Sequence, residues 1–385
     1  MSCEQARRPK LKGKAVCVLS NNDGCIIARS KEAKKLGIKM GEPLFLAQKE
    51  QPDVIYISSD IDFYEEMSRR VMQKIENYTK MVEKYSIDEA FVDLSGLRGL
   101  YHKSYEKIAK MIKDDIYNEL KIPVSIGISA TKTLAKFACE KAKLKNSGIY
   151  YIKPKNITKE LENVNVDEIW GIGKNTCSLL NKLGIYKVCE FVSLTDSFLR
   201  KYFNKRSIEM KEELKGNVIY EVTNVIRTPK SIQKTCSFSQ FTNDINYIKN
   251  CLNFHIHRAC RKLRELNMLS QIVTIVLKTK DYTLYKRKYY LNNETDWEFH
   301  ISNIIIQLLD EIYRPDVLYR SCGVILSGLK LNNSRQLSLF ALSDDIDKIK
   351  RLESCIDSLN VKHGKYTLRP GFLFTNIQSK KFLQV

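Results

Sequence analysis

Apolar and polar positions switch between a two-residue and a near-four-residue period along the chain, and the switches mark its elements. Residues 14–20 (KAVCVLS) form an apolar, β-rich run, 21–24 (NNDG) is a strong turn signal, and 25–28 (CIIA) resumes the run, which predicts a hairpin. A short helix is predicted at 30–37, closed by Gly37, and Met67, Val71 and Ile75 predict another over 64–78. Strands at 80–87 and 90–96, a helix over about 104–120, a strand at 123–129 and a helix over about 131–145 complete an α+β region ending near Ile152. From Lys155 to about Val225 the chain reads as short helices punctuated by Gly, a second and all-helical unit. The basic, Pro-bearing stretch 226–234 reads as a linker. Beyond it, Ile248, Leu252, Ile256, Ala259, Leu263 and Leu266 mark an amphipathic helix over 246–267. Strands at 271–279 and 283–291, a helix over about 297–313 and a strand at 321–329 make this region α+β again. After Leu331 the composition turns polar, which predicts a loosely ordered tail.

With 385 residues, 43% of them hydrophobic, the chain is too long for one core and too apolar for disorder, so two to four domains are expected. The 64 Lys+Arg outnumber the 44 Asp+Glu to give +20, a field that concentrates a polyanion, with nucleic acid the leading candidate. No run approaches the roughly 18 apolar residues of a membrane helix. The start, MSCEQARRPKLKGK, lacks the apolar core of a signal peptide, so a cytoplasmic protein without a membrane partner is expected. Eleven scattered Cys, never spaced C-x-x-C, argue against a disulfide framework and a zinc ribbon and read as reduced, mostly buried small hydrophobes. His255-x-His257-x-x-Cys260 is set aside as a metal set, because on a helix His255 and His257 point apart.

Four stretches could carry chemistry. In Tyr85-Ser86-Ile87-Asp88-Glu89-Ala90-Phe91-Val92-Asp93, two adjacent carboxylates lie between β-type runs. At a tight turn both could hold divalent cations for phosphoryl transfer; alone, the pair fits a solvated hairpin turn as well. Ile169-Trp170-Gly171-Ile172-Gly173, followed by Leu180, Leu183, Gly184 and Ile185, has the pattern of a helix-hairpin-helix, whose glycines let backbone N–H groups approach a DNA phosphate. A purely structural helix pair is the other reading. Lys132, Lys136 and Lys143 form a row on the 131–145 helix, suited to a triphosphate or simply to solvent. Gln336-Leu337-Ser338-Leu339-Phe340 lies in the polar tail, where apolar residues have no core to fill and a groove-docking peptide is the alternative.

Taken together, 20–43 (SNNDGCIIARSKEAKKLGIKMGEP), 85–91 (YSIDEAF), 127–143 (GISATKTLAKFACEKAK), 166–174 (VDEIWGIGK) and 336–340 (QLSLF) closely resemble the UmuC-like branch of the Y-family translesion DNA polymerases. The resemblance runs from about Ser2 to at least Phe340. It implies an α+β multidomain right hand: palm and fingers over 1–152 (fingers about 21–65), a helical helix-hairpin-helix thumb over 153–225, a linker over 226–234, an α+β little-finger domain over 235–330, and a tail over 331–385. By motif, Asp88 and Glu89 look like palm carboxylates that hold Mg²⁺ in a two-metal site. Lys34 and Lys143 fall where the family binds the incoming deoxynucleoside triphosphate, and Arg29 over the nascent base pair. Gly171, Gly173 and Lys174 would grip backbone phosphate of primer–template DNA, and Lys286, Arg287 and Lys288, beside Tyr285 and Tyr289, would track the duplex. Gln336, Leu337, Leu339 and Phe340 look like the sliding-clamp peptide, and a UmuD-like accessory subunit is a further implied partner.

One departure stands out. In the family, the Ser-Cys-Glu found here at 2–4 follows a palm strand of the form D-x-N-x-F-Y, and this sequence starts directly before it. The expectation is a two-metal site with one ligand missing and impaired transfer, and none of Asp23, Asp60, Asp62 or Asp93 sits in a matching motif. Asp60-Ile61 also stands where relatives tend to have Asn-Tyr, although Tyr64 is retained. A non-catalytic protein that binds primer–template DNA and the clamp is the alternative reading. A generic helix-hairpin-helix protein would leave Asp88-Glu89 unexplained.

Overall fold

Glu4, on helix α1 (Ser2–Arg7), is fully buried yet charged-capable, and three neighbours offset the cost. Its carboxylate accepts from Tyr64 Oη at 2.8 Å and from Arg7 Nη2 at 3.0 Å, and Arg8 approaches to 3.9 Å. This is where the retained Tyr64 acts: burial and the Glu4 hydrogen bond together push its hydroxyl pKa well up. A computed structural model describes the chain except residues 21, 226–227, 333–342, 365–366 and 369–385, and for 343–347 and 349–350 it describes the backbone only. The chain divides into two compact units, Met1–Ala15 with Asp60–Ile226, and Val16–Ser59 with Arg227–Val385. This division cuts across the expected 1–152 region, because 16–59 groups with the C-terminal part.

In the second unit the predicted hairpin is present: β1 (Val16–Leu19) pairs antiparallel with β2 (Ile26–Arg29). Ser30 caps the short α2 (Lys31–Lys35), and Gly37, at φ +84°, ends the turn that follows. Two elements the pattern did not reveal come next, α3 (Leu44–Glu50) and β3 (Ile55–Ser58), which adds parallel to β1.

The first unit continues with α4 (Ile61–Glu76), capped by Asp60. Its hairpin β4 (Val82–Lys84) and β5 (Ala90–Val92) is shorter than the strands expected at 80–87 and 90–96. After α5 (Leu97–Tyr101) and α6 (Tyr105–Leu120), β6 (Ile126–Ile128) pairs parallel with β7 (Ile149–Tyr151) across α7 (Lys132–Lys143). Gly127 admits this crossing, since a Cβ there would lie 2.1 Å from the Cys139 backbone nitrogen on α7. Five short helices follow as the Gly punctuation predicts: α8 (Ile157–Leu161), α9 (Lys174–Lys182), α10 (Val188–Ser193), α11 (Asp196–Tyr202) and α12 (Lys205–Lys215). Leu134, Phe137 and Ala138 of α7 belong to the same apolar core as Ile169, Leu180, Phe191 and Leu214, so α7 is built into the helical region.

The rest of the second unit is a four-stranded antiparallel sheet in the order β10-β9-β11-β8, packed against α13 (Ile245–Glu265) and α14 (Glu298–Ile312). The strands are β8 (Ser231–Thr242), β9 (Met268–Thr279), β10 (Leu284–Thr295) and β11 (Tyr319–Leu331). β8 begins inside the 226–234 stretch expected as linker: Ile232, Cys236 and Phe238 alternate inward, but the polar residues between them disguise the pattern. Over 343–363 the expectation of a loosely ordered tail is corrected, for α15 (Ser343–His363) is a helix docked through charge. Arg264 donates to Asp357 at 2.7 Å and to Glu353 at 3.3 Å, while Glu353 also accepts the Glu298 N–H at 3.2 Å.

Candidate active site and nucleic-acid interface

The chemistry-bearing turn is the tip of the β4–β5 hairpin. Both the Tyr85 and Ser86 N–H groups donate to the Glu89 carbonyl, at 3.0 and 3.1 Å, which ends the ladder and leaves 85–89 as a tight loop. Asp88 is therefore exposed at the tip, and Glu89 beside it is half-buried. Ser86 Oγ donates to Asp88 Oδ1 at 2.7 Å and accepts the Asp88 N–H at 3.3 Å, so the hydroxyl orients the acid.

Helix α7 holds the hairpin from one side. Lys132 and Lys136, one turn apart, donate respectively to Glu83 on β4 and to Glu89. Lys143, nearly two turns past Lys136 and half exposed, pairs with Glu140 at 2.7 Å. Burial, the largest single effect, disfavours its charged form, but the Glu140 hydrogen bond and the charges of Glu140, Cys139 and Glu89 together outweigh it, so its pKa is raised. The lysine row thus splits into two hairpin anchors and one outlying ammonium within the field of Glu89.

Aromatic side chains hold it from the other side. Tyr85, Phe91 and Trp170 form a triangle with ring centroids 5.3–5.7 Å apart. Sequence reasoning missed Glu83, Lys136 as a Glu89 partner, and Trp170; only Trp170, inside the glycine motif, carried a signal. It missed Glu213 too, whose fully buried carboxylate accepts the N–H groups of Thr133, Ile219 and Tyr220 at 2.9–3.1 Å. That acid joins the start of α7 to the end of the helical region.

The glycine motif makes a turn that is tight at Gly171 and open at Gly173. Gly171 takes φ +98°, which favours glycine, and a Cβ there would lie 2.7 Å from Met210 Cε. Gly173 caps α9 with an ordinary backbone and has nothing within 4 Å of its Cβ position, so its surface is open. Lys174 is exposed beside it. In the C-terminal sheet the expected basic trio divides by strand alternation. Lys286 and Lys288 are exposed on the sheet face away from the core, since Tyr285 packs toward it. Arg287 turns to α14 and pairs with Glu311 at 2.7 Å. Lys278, opposite Leu284, and Arg320 stack on Tyr282 at 4.7 and 3.9 Å, a basic group the sequence did not reveal.

In the 16–59 part, Arg29 donates to the Ile38 carbonyl, which fixes the loop after α2, and Lys34 is exposed on α2. Gln336, Leu337, Leu339 and Phe340 lie outside the described residues.

The donor set at the hairpin tip fits hard divalent cations: two adjacent carboxylates, Asp88 exposed and Glu89 half-buried, the latter already taking an ammonium as counter-charge. Three of the other acids weighed for this role have partners of their own. Asp60 caps α4 and pairs with Arg7 at 2.8 Å, and Asp93 accepts the Ser95 N–H at 2.8 Å. Asp23 belongs to the second unit, where it accepts from Ser58 Oγ at 2.9 Å, and burial raises its pKa. Among the described residues no helix is long and apolar enough to cross a membrane.

Solved structures define the class. A Y-family DNA polymerase chimera, Dbh-Dpo4(243-245)-Dbh, matches at TM-score 0.70 with 24% identity, covering 86% of this chain and 96% of its own. The insertion ternary complex of Dbh DNA polymerase matches over the same shares at TM-score 0.56 and 26% identity. The fold is that of a Y-family polymerase, α+β and multidomain, a class whose nucleotidyl transfer uses divalent metal ions. Residues 1–140 match the impB/mucB/samB family and 229–339 its C-terminal domain. Protein UmuC of Salmonella typhimurium is 33% identical over 383 residues, covering 95% of this chain and 89% of its own. MucB of Escherichia coli is 30% identical over 95% of this chain and 89% of its own, and DNA polymerase IV of Clostridium kluyveri 30% over 97% and 95%. The chain belongs to the impB/mucB/samB family of UmuC-like Y-family DNA polymerases.

Proposed function

We propose that the chain is an error-prone translesion DNA polymerase that adds deoxynucleotides to a primer opposite damaged template in DNA damage tolerance. The observation that carries this reading is the adjacent Asp88-Glu89 pair on a hairpin tip braced by Lys136, Ser86 and the Tyr85–Trp170 contact, in a chain of this family. Domain boundaries are proposed as 1–152 for palm and fingers, 153–225 for thumb and 235–330 for little finger, with the linker shortened to end before Ser231.

Asp88 and Glu89 hold Mg²⁺, which when bound offsets the charge that gathers on the primer 3′-hydroxyl and the triphosphate. Ser86 keeps Asp88 aimed, and Lys136 holds Glu89 in place. A third carboxylate is not supplied by Asp60 or Asp93, which are engaged elsewhere in the same unit. Lys143 of the first unit and Lys34 of the second each carry charge suited to the incoming triphosphate, and Arg29 is assigned to the nascent base pair. Gly171, Gly173 and Lys174 bind duplex phosphate without reading sequence, and Lys286 and Lys288 track the backbone by charge, while Arg287 fixes the strand to α14. Gln336, Leu337, Leu339 and Phe340 dock in the sliding clamp, and a UmuD-like subunit is an accessory partner, in a cytoplasmic setting.

The test is running-start extension past a template abasic site with Mg²⁺ and all four deoxynucleotides. Products beyond the lesion that need both template and Mg²⁺ support the reading; intact DNA binding with no incorporation on damaged or undamaged template overturns it.

A further inference from the structure

Cysteines far apart in sequence meet inside the four-stranded sheet. Cys236 on β8 is the cross-strand partner of Cys322 on β11, so their side chains leave the same face, toward α13. His255 on α13 points back at them, its Nε2 3.1 Å from Cys236 Sγ. The two sulfurs and a ring nitrogen of His255 all lie within 4.8 Å of one another. Cys251, one helical turn before His255 and so on the same face of α13, is within hydrogen-bond reach of both Cys236 and Cys322. Two thiols and an imidazole from three elements thus converge, with the Cys251 thiol beside the two sulfurs but outside that 4.8 Å set.

Burial argues that this is more than small hydrophobes filling space. His255 is 1% exposed, its Nδ1 is buried without a hydrogen-bond partner, and the contact at its Nε2 is to sulfur, a poor hydrogen-bonding atom. An imidazole so placed is under-satisfied unless Nε2 makes a stronger bond than a thiol offers. Soft thiolate and imidazole ligands in a closed four-donor set suit Zn²⁺, whose bonds of roughly 2.3 Å to sulfur and 2.0 Å to nitrogen give donor separations of about 3.5–3.8 Å. The Cys236–His255–Cys322 set needs to contract by about 1 Å to reach that geometry, and the Cys251 thiol to turn in as the fourth donor. Cys236 is half-buried and Cys322 and Cys251 are buried, which leaves an approach along the β8 edge.

We infer that Cys236, Cys251, Cys322 and His255 form a structural Zn²⁺ site in the C-terminal domain. Coordination forms three Zn–S bonds and one Zn–N bond to neutral His255, and each ligating thiol gives up its proton to solvent. The ion ties the edge strand β8, the first element after the linker, to α13 and β11. His257 takes no part: its Nδ1 lies 3.0 Å from Glu298, consistent with the two histidines pointing apart.

The test uses the full chain, purified without a metal-affinity tag and passed over a chelating resin, with metal content read by elemental analysis. About one zinc per chain is expected, released in step with thiol titration by a mercurial. Cys322→Ser and His255→Ala are each expected to retain less than about a tenth of that zinc, and Cys189→Ser, at an exposed position outside the cluster, to retain all of it. Because the cluster variants could fail to fold, the unaltered chain is also titrated with Co²⁺, and a thiolate-to-cobalt absorption band with tetrahedral visible bands is expected. Folded chain with under a tenth of a zinc and no such band, or zinc content unchanged in both cluster variants, overturns the inference.

Discussion

Trp170 stands edge-on to Tyr85, ring centroids 5.3 Å apart at 78°. The turn that carries Asp88 and Glu89 and the turn that carries Gly171 and Gly173 therefore share one aromatic joint. Trp170→Ala removes two aromatic pairs and is expected to cost about 2 kcal/mol, read by urea unfolding. Single-turnover extension should fall about tenfold as the hairpin tip loses its support, and Trp170→Phe should recover most of both. Extension that is unchanged in the alanine variant would show that the joint does not position the acids.

The two motif glycines should respond differently. Gly173→Ala meets open space and an ordinary backbone, so stability should change by less than about 0.5 kcal/mol, while DNA affinity drops several-fold because a methyl blocks the phosphate approach. Gly171→Ala meets φ +98° and the Met210 methyl, and should cost about 1–3 kcal/mol. Fluorescence anisotropy on a primer–template at fixed salt, beside a urea melt, separates the two.

Lys136 competes with any cation for Glu89. Lys136→Met is expected to tighten Mn²⁺ binding by the free chain several-fold, measured by electron paramagnetic resonance without DNA or nucleotide. Weaker Mn²⁺ binding in the variant would mean that the lysine builds the site rather than screening it.

Glu353 supplies the pH dependence. Burial raises its carboxyl to about 7 from 4.5, against the opposing pull of Arg264. The folded state keeps a proton that the unfolded chain releases, so this contribution is complete below pH 4.5 and is lost as pH rises to about 7. Stability in urea should fall by on the order of 2 kcal/mol across that window, and Glu353→Gln should flatten the fall.

Long helices were legible because their burial is periodic: 246–267 and 297–313 were expected, and Ile245–Glu265 and Glu298–Ile312 are found. Helix α15 was not, because among its described side chains the buried ones are Glu353 and Asn360 while Leu352 and Val361 are exposed, so apolar residues alone do not mark its packed face. The acids, the glycines and the family were readable from short local motifs. Their supports were not, since Lys136 with Glu89, Trp170 with Tyr85, and Glu213 with Thr133 are joined across 47, 85 and 80 residues. The thiol cluster was hidden for the same reason: its ligands come from three elements and show no C-x-x-C spacing.

Single-nucleotide insertion on undamaged primer–template, comparing the chain with Asp88→Asn and Glu89→Gln, tests the central claim most directly. Insertion of the template-directed nucleotide, reduced at least a hundredfold in each variant while DNA binding stays within twofold, is the predicted result. Insertion that survives both substitutions, or a chain that binds primer–template and inserts nothing, would contradict it.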